Sequence, residues 1–411
     1  MTLATTSLHR FEARHVHNEH GAGMPAEDPG MGVFSLPAFD AAWSEIRSWP
    51  DYDPTPLAPL PGLASELDIG ALYHKDEGKR FRLMSFKALG GAYAVLNLLK
   101  GYVREKHGLD TVSSSDLMAG HHLGKTTEIT VATATDGNHG RSVAWGAEQF
   151  GCGCKIYLHE NVSESREREI ARFGADIVRV SGNYDASVRQ CARDAEANGW
   201  CLVADTDAGG GDPAIPGMVM QGYTVMVQEM LDQLPRGTSP THVFVPGGVG
   251  GLAAAVAAHI RFRLPGQPVR IVIVEPDRAD CIFRSIDAGR SVPVEGDLET
   301  FMACLSAGEV SPLAWPILKR HVDDVVTLPD EAAENAMRLL ATGMRGDAPV
   351  VAGESGAAAV AGTVAAGLDP DLRSRLGLDR DSIVIAIGSE GATDAETYER
   401  VVGVPASRIA A

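Results

Sequence analysis

Short apolar segments recur along this chain, separated by amphipathic stretches of about 10–15 residues. Ala71–Tyr73, Ile129–Thr133, Lys155–Leu158, Asp176–Val180, Leu202–Ala204, His242–Val245, Arg270–Glu275 and Ser382–Ile387 read as strands. Ala88–Tyr102, Gly140–Gln149, Ser163–Phe173, Asp185–Ala197, Met218–Leu231 and Leu252–Phe262 read as helices between them. Few architectures accept such alternation: helices must cover both faces of mostly parallel sheets. The expected fold class is α/β, and 411 residues leave chain for two or three domains. Residues 1–33 lack an apolar period and read as a mobile N-terminal arm. His15, His17 and His20 cluster there, and a solvated tail is preferred over a metal site because no further ligand follows at a fixed spacing.

Charge narrows the partners. Against 36 Lys and Arg stand 54 Asp and Glu, a net −18. So acidic a chain has no electrostatic footprint for nucleic acid or an anionic membrane. The apolar stretch Val243–Ile260 is interrupted by Pro246-Gly247-Gly248-Val249-Gly250-Gly251, so it reads as strand, loop and helix rather than a membrane span. Six cysteines without a C-x-x-C pair are too few for a disulfide framework, and the N-terminus lacks a secretory apolar core. A cytoplasmic protein with no metal site is the expectation.

In open α/β sheets ligands collect beyond the carboxyl ends of the strands, so the residues following each strand carry the functional reading. After Val243–Val245, four glycines at a strand-to-helix turn present backbone amides for a phosphate; read alone, they also suit a tight turn. After Thr133, Ala134-Thr135-Asp136-Gly137-Asn138-His139-Gly140 offers a carboxylate and an amide, or simply a helix cap. Ser85-Phe86-Lys87 sets a lysine at the mouth of an apolar helix, where burial favours loss of its proton and imine chemistry. A lone lysine is otherwise a solvated surface residue.

Together, in this order, the three segments resemble the fold type II pyridoxal-phosphate (PLP) enzymes, which include threonine dehydratase and tryptophan synthase β. Within that group the chain resembles diaminopropionate ammonia-lyase. Lys75-Asp76-Glu77 with Arg80-Phe81, Leu89-Gly90-Gly91, Thr133–Arg141 and Val219-Met220-Gln221-Gly222-Tyr223 carry the likeness. Met302 with Leu305 and Gly308-Glu309, Gly353–Ala357, and Ser389-Glu390-Gly391 with Asp394 extend it, collinearly over about 34–400.

The resemblance implies two domains, each with a mostly parallel sheet flanked by helices: a large PLP-binding domain of 34–87 and 214–411 and a small mobile domain of 88–213. It implies a homodimer that eliminates the β-amino group of 2,3-diaminopropionate to give pyruvate and ammonia. Lys87 would hold PLP as an internal imine and exchange protons at the substrate Cα. The amides of Gly247, Gly248, Val249, Gly250 and Gly251 would take the phosphate, Asn138 the ring hydroxyl and Ser389 the ring nitrogen. Asp136 and Asp205 would lie at the substrate. A serine/threonine or 3-hydroxyaspartate dehydratase, or a β-replacement synthase, is the alternative within the fold, and a PLP-free binding protein the alternative outside catalysis. Two segments depart from the family pattern. Asp205-Thr206-Asp207-Ala208 replaces Asp-Thr-Ala-Trp, and Cys304 stands where glycine is usual.

Overall fold

The computed structural model describes residues 7–21, 31–109, 111–135, 137–206, 212 and 214–409. The chain divides into two compact units. The first comprises Met1–Gly32, Pro54–Ser85 and Met226–Ala411; the second comprises Val33–Asp53 and Phe86–Val225. This differs from the boundaries expected from the sequence. Residues 33–53 fall in the second unit, and the second boundary lies inside the helix Ala214–Gln233.

The described strands are β1 (Arg14–His17), β2 (Leu57–Pro59), β3 (Ala71–Asp76), β4 (Thr130–Ala134), β5 (Gly153–His159), β6 (Asp176–Val180), β7 (Cys201–Leu202), β8 (His242–Pro246), β9 (Arg270–Pro276), β10 (Asp324–Leu328) and β11 (Ile383–Gly388). In the first unit seven strands form one sheet in the order β1-β10-β9-β8-β11-β3-β2. The five inner strands run parallel, and both edge strands are antiparallel. Every residue of β8 and β10 is buried, as expected of inner parallel strands, the polar His242, Asp324 and Thr327 included. Helices Gly251–Arg263 and Ala358–Leu368 bury nearly all their alanine-rich length in this unit. Each fully buried Val or Ile contributes about 1.5–3 kcal/mol by leaving water.

The arm reading needs correction at Arg14–His17, which is an edge strand paired antiparallel with β10. Its hold is electrostatic as well as hydrogen-bonded. His15 Nε2 and His17 Nδ1 lie 2.8 and 3.0 Å from one oxygen of the buried Asp324, whose other oxygen accepts from Arg270 Nε at 2.5 Å. Residues 1–6 and 22–30 of the same segment lie outside the described residues.

In the second unit a four-stranded parallel sheet has the order β6-β5-β4-β7. Helix Lys87–His107 packs against helix Asn138–Phe150, and both bury an unbroken first-turn face. Residues 33–53 join this unit through Trp49, whose ring meets Phe150 and Trp145 edge-on at 5.7 and 5.9 Å. Glu45 adds an ion pair to Lys100. Among the described residues, no helix is long and apolar enough to cross a membrane.

Candidate active site

The second unit gathers one set of reactive side chains. Lys87 opens the helix Lys87–His107, and its carbonyl accepts from Ser142 Oγ at 2.7 Å, tying it to the neighbouring helix. The chain enters this turn through an unusual path. Phe81, Arg82 and Met84 hold φ of +46°, +57° and +56°, a left-handed region that non-glycine residues rarely occupy.

The Lys87 ammonium pairs with the Asp205 carboxylate, which follows β7 at the carboxyl edge of the sheet. Both side chains are about one-fifth exposed. Burial alone would raise the Asp205 carboxyl, but Lys87 and then His139 outweigh it and hold the group well below the usual carboxylate range. His139 Nε2 lies 2.7 Å from the Val203 carbonyl, an acceptor only, so Nε2 carries the hydrogen. Burial lowers the His139 pKa more than Asp205 raises it. Its Nδ1 faces Asp205 Oδ2 at 3.9 Å. Phe86 meets Tyr223 edge-on with centroids 4.6 Å apart, and the buried Tyr223 hydroxyl has no hydrogen-bond partner among the described residues.

Asn138 opens its helix after β4, and its Oδ1 accepts from Arg141 Nη2 at 2.5 Å. Thr135 Oγ1 closes the turn by accepting from the amides of Gly137 and Gly140, each at 3.1 Å. Asp136, and with it Asp207, lies outside the described residues.

The first unit carries the glycine loop and Ser389. Gly247 N donates to Val274 O at 2.9 Å, and Gly250 N to Gly247 O at 3.2 Å. The amides of Gly248, Val249 and Gly251 have no acceptor among the described residues, at the N-terminus of a helix that runs to Arg263. Unpaired amides and the positive end of a helix dipole favour an anion there. Two glycines are sterically required. A Cβ on Gly247 would stand 2.6 Å from Glu275 Cγ, and one on Gly250 would stand 2.6 Å from Leu318 Cδ1 at a φ of +92°. Glu275 itself is buried, which pushes its carboxyl up to about 8, and it accepts from the amides of Ile282 and Phe283. Ser389 follows β11 and is almost fully buried. Its neighbour Glu390 accepts from Ser355 N at 3.2 Å and from Thr393 Oγ1 at 3.2 Å. Cys304 is exposed, with its sulfur 3.5 Å from Glu390 Oε2.

The pyridoxal-phosphate dependent enzyme family model matches residues 49–388 of this sequence. The diaminopropionate ammonia-lyase of Escherichia coli K12 is 39% identical over 355 residues, which cover 85% of this chain and 87% of that one. The chain belongs to the diaminopropionate ammonia-lyase family. A crystal structure of the holo E. coli diaminopropionate ammonia-lyase superposes with a TM-score of 0.87 at 35% identity, covering 96% of this chain and 98% of that one. Another, holding an aminoacrylate-PLP azomethine reaction intermediate, gives 0.84 at the same identity and coverage. The donor sets suit this family's cofactor chemically: an amine for an aldehyde in one unit, unpaired helix-terminal amides for a phosphate in the other. His139, which faces Asp205, and Tyr223, which packs on Phe86, are residues to which sequence reasoning gave no role. His139 stood inside the Asp-Gly-Asn-His-Gly turn and could have been found beside Asn138. Nothing in local spacing marks Tyr223.

Proposed function

We propose that this chain is a PLP-dependent ammonia-lyase that eliminates the β-amino group of 2,3-diaminopropionate to give pyruvate and ammonia. The observation that carries this reading is the Lys87–Asp205 pair, a lysine poised at a helix start against a carboxylate kept ionised. When bound, the cofactor withdraws electrons from the substrate Cα and so acidifies its proton. Lys87 would hold the cofactor covalently and would take the α-proton from one face. In the loop Gly247–Gly251 the amides of Gly248, Val249 and Gly251, which have no acceptor among the described residues, would bind the phosphate, while those of Gly247 and Gly250 hold the turn. Asn138 would meet the ring hydroxyl and Ser389 the ring nitrogen. Asp205, kept ionised by Lys87, would attract the β-ammonium and hold the nitrogen as it leaves as ammonia. A keto-acid assay over β-substituted amino acids of both configurations tests the reading. Diaminopropionate should exceed serine and threonine in kcat/KM; preference for serine would make the enzyme a dehydratase.

Two variants sharpen the roles. Gly250→Val should raise the PLP dissociation constant at least about tenfold in a titration, because a Cβ at a φ of +92° displaces the loop, and losing one charge-assisted hydrogen bond from its unpaired amides costs about 1.5–3 kcal/mol. Unchanged affinity in a folded variant would place the phosphate elsewhere. Asp136, two residues before Asn138 in sequence, is the second base that a D-substrate needs, since its α-proton points away from Lys87. Asp136→Asn should cut turnover of D-2,3-diaminopropionate by about 100-fold or more and L turnover far less. Equal losses would make Asp136 a binding residue only.

The protein is further read as a cytoplasmic homodimer, a reading supported by its likeness to the diaminopropionate ammonia-lyases. Light scattering should give twice the 43.4 kDa chain mass.

A further inference from the structure

Asp205 touches more than Lys87. Within the second unit it also lines a cavity of about 220 Å³ that opens at the carboxyl edge of the sheet, beneath the start of the helix Tyr184–Asn198. A leaving ammonium needs a space of roughly one water, about 30 Å³. The cavity holds about seven times that, so ammonia alone does not account for its size.

Its lining is ordered by chemistry. Ala134 and Leu202 at the strand ends and Val188 on the helix give apolar walls. Asp205 supplies a carboxylate, and the exposed Asp185 and Arg189, one helical turn apart, supply charge toward solvent. Neither Asp185 nor Arg189 has a hydrogen-bond or ion-pair partner among the described residues. A carboxylate at one lining position, a guanidinium at another and apolar walls between them complement a short zwitterion. Its ammonium would meet Asp205 and its carboxylate the planar fork of Arg189.

We propose that this cavity receives a leaving group larger than ammonia, and that the enzyme also cleaves N3-substituted 2,3-diaminopropionates whose β-nitrogen carries a short carboxylate arm. The inference rests on the lyase reading above and extends its substrate class. The Cα–H bond breaks and its electron pair becomes the second Cα–Cβ bond. The Cα proton goes to Lys87; the Cβ–N bond of the substituted ammonium breaks, its pair stays on nitrogen, and the group departs as the neutral amine of an amino acid held at the Asp205 carboxylate. Water then converts 2-aminoacrylate to pyruvate and ammonium. For an N3-carboxymethyl substrate the products are glycine, pyruvate and ammonium, with no oxidant or reductant involved.

The test compares the holoenzyme on 2,3-diaminopropionate, its N3-carboxymethyl derivative and the uncharged N3-propyl derivative. The expected result is glycine and pyruvate in equal amounts from the carboxymethyl substrate, with kcat/KM about tenfold or more above that of the propyl one. Arg189→Gln should remove that advantage while changing turnover of diaminopropionate less than about twofold. Glycine binding, measured by calorimetry without turnover, should weaken about tenfold in the same variant. Turnover of diaminopropionate with neither glycine release nor glycine binding overturns the subsite. An equal effect of Arg189→Gln on all three substrates does the same. Inactivity on diaminopropionate together with Arg189-dependent glycine binding sinks the lyase reading and upholds the subsite.

Discussion

Lys87→Ala is expected to lower turnover by at least about a thousandfold and to abolish covalent attachment of the cofactor. Positioned proton transfer alone is worth about 10²–10⁴ in rate, and the same amine is the nucleophile toward the cofactor aldehyde. The variant should stay folded, since Lys87 is partly exposed and Asp205 remains near solvent. Borohydride reduction and peptide mapping of the wild type should place the pyridoxyl label on Lys87. Other lysines are engaged. Lys75 is fully buried and donates to Thr55 O at 2.6 Å, Glu229 Oε2 at 2.8 Å and Gln233 Oε1 at 3.1 Å, so all three of its protons are taken. Lys100 pairs with Glu45. A label on Lys75, Lys79 or Lys100, or a Lys87→Ala enzyme that keeps its activity, would overturn the assignment.

The contrast between Lys87 and Lys75 shows where sequence reasoning reaches and where it stops. β8, β9 and β11 were legible because buried parallel strands are near-continuous apolar runs bounded by turn residues, and β6 because Ile177, Val178 and Val180 are β-branched. The glycine loop was legible for the same local reason, since backbone needs at Gly247 and Gly250 write themselves into residue type. β2 escaped because it is three residues long and ends in proline. β1 escaped because its partner, Asp324, lies some three hundred residues away and no local pattern announces it. Asp205 and Lys87 are 118 positions apart. Their pairing has no period or spacing to betray it, and only the likeness to a known family put both residues in one reading. By residue type alone, either lysine could have been the reactive one. Burial and saturation of donors separate them.

That saturated cluster carries the largest expected effect on stability. In the first unit, Glu229 accepts from Lys75 at 2.8 Å and from Arg80 at 2.8 and 2.6 Å, while Arg80 also donates to Glu77 at 2.9 and 2.8 Å. Thr55 Oγ1 bridges the set, and all of these side chains are essentially without exposure. Burial pushes the Glu229 carboxyl up, but Arg80 and then Lys75 outweigh it and hold it below the usual range. Glu229→Gln keeps the shape and removes the charge, leaving Lys75 buried without its counter-ion. Breaking a buried pair in this way costs about 3–5 kcal/mol, which for a domain of this size is about 6–20 °C in its unfolding midpoint. Glu45→Gln, which removes the partly exposed pair to Lys100, should cost less than about 1 kcal/mol and serves as the control. The pH dependence has a definite sign. A carboxylate whose pKa is depressed by folding stabilises above its unfolded value of about 4.3 and loses that contribution as pH falls toward the folded value. The gap between wild type and Glu229→Gln should therefore be widest near neutrality and narrow below about pH 4. Adding Lys75→Met to Glu229→Gln should recover part of the loss, because the stranded charge is gone while Arg80 keeps Glu77. Calorimetry of the four proteins decides it: a Glu229→Gln loss no larger than that of Glu45→Gln, or one independent of pH, would mean that the cluster is not what holds this part of the first unit together.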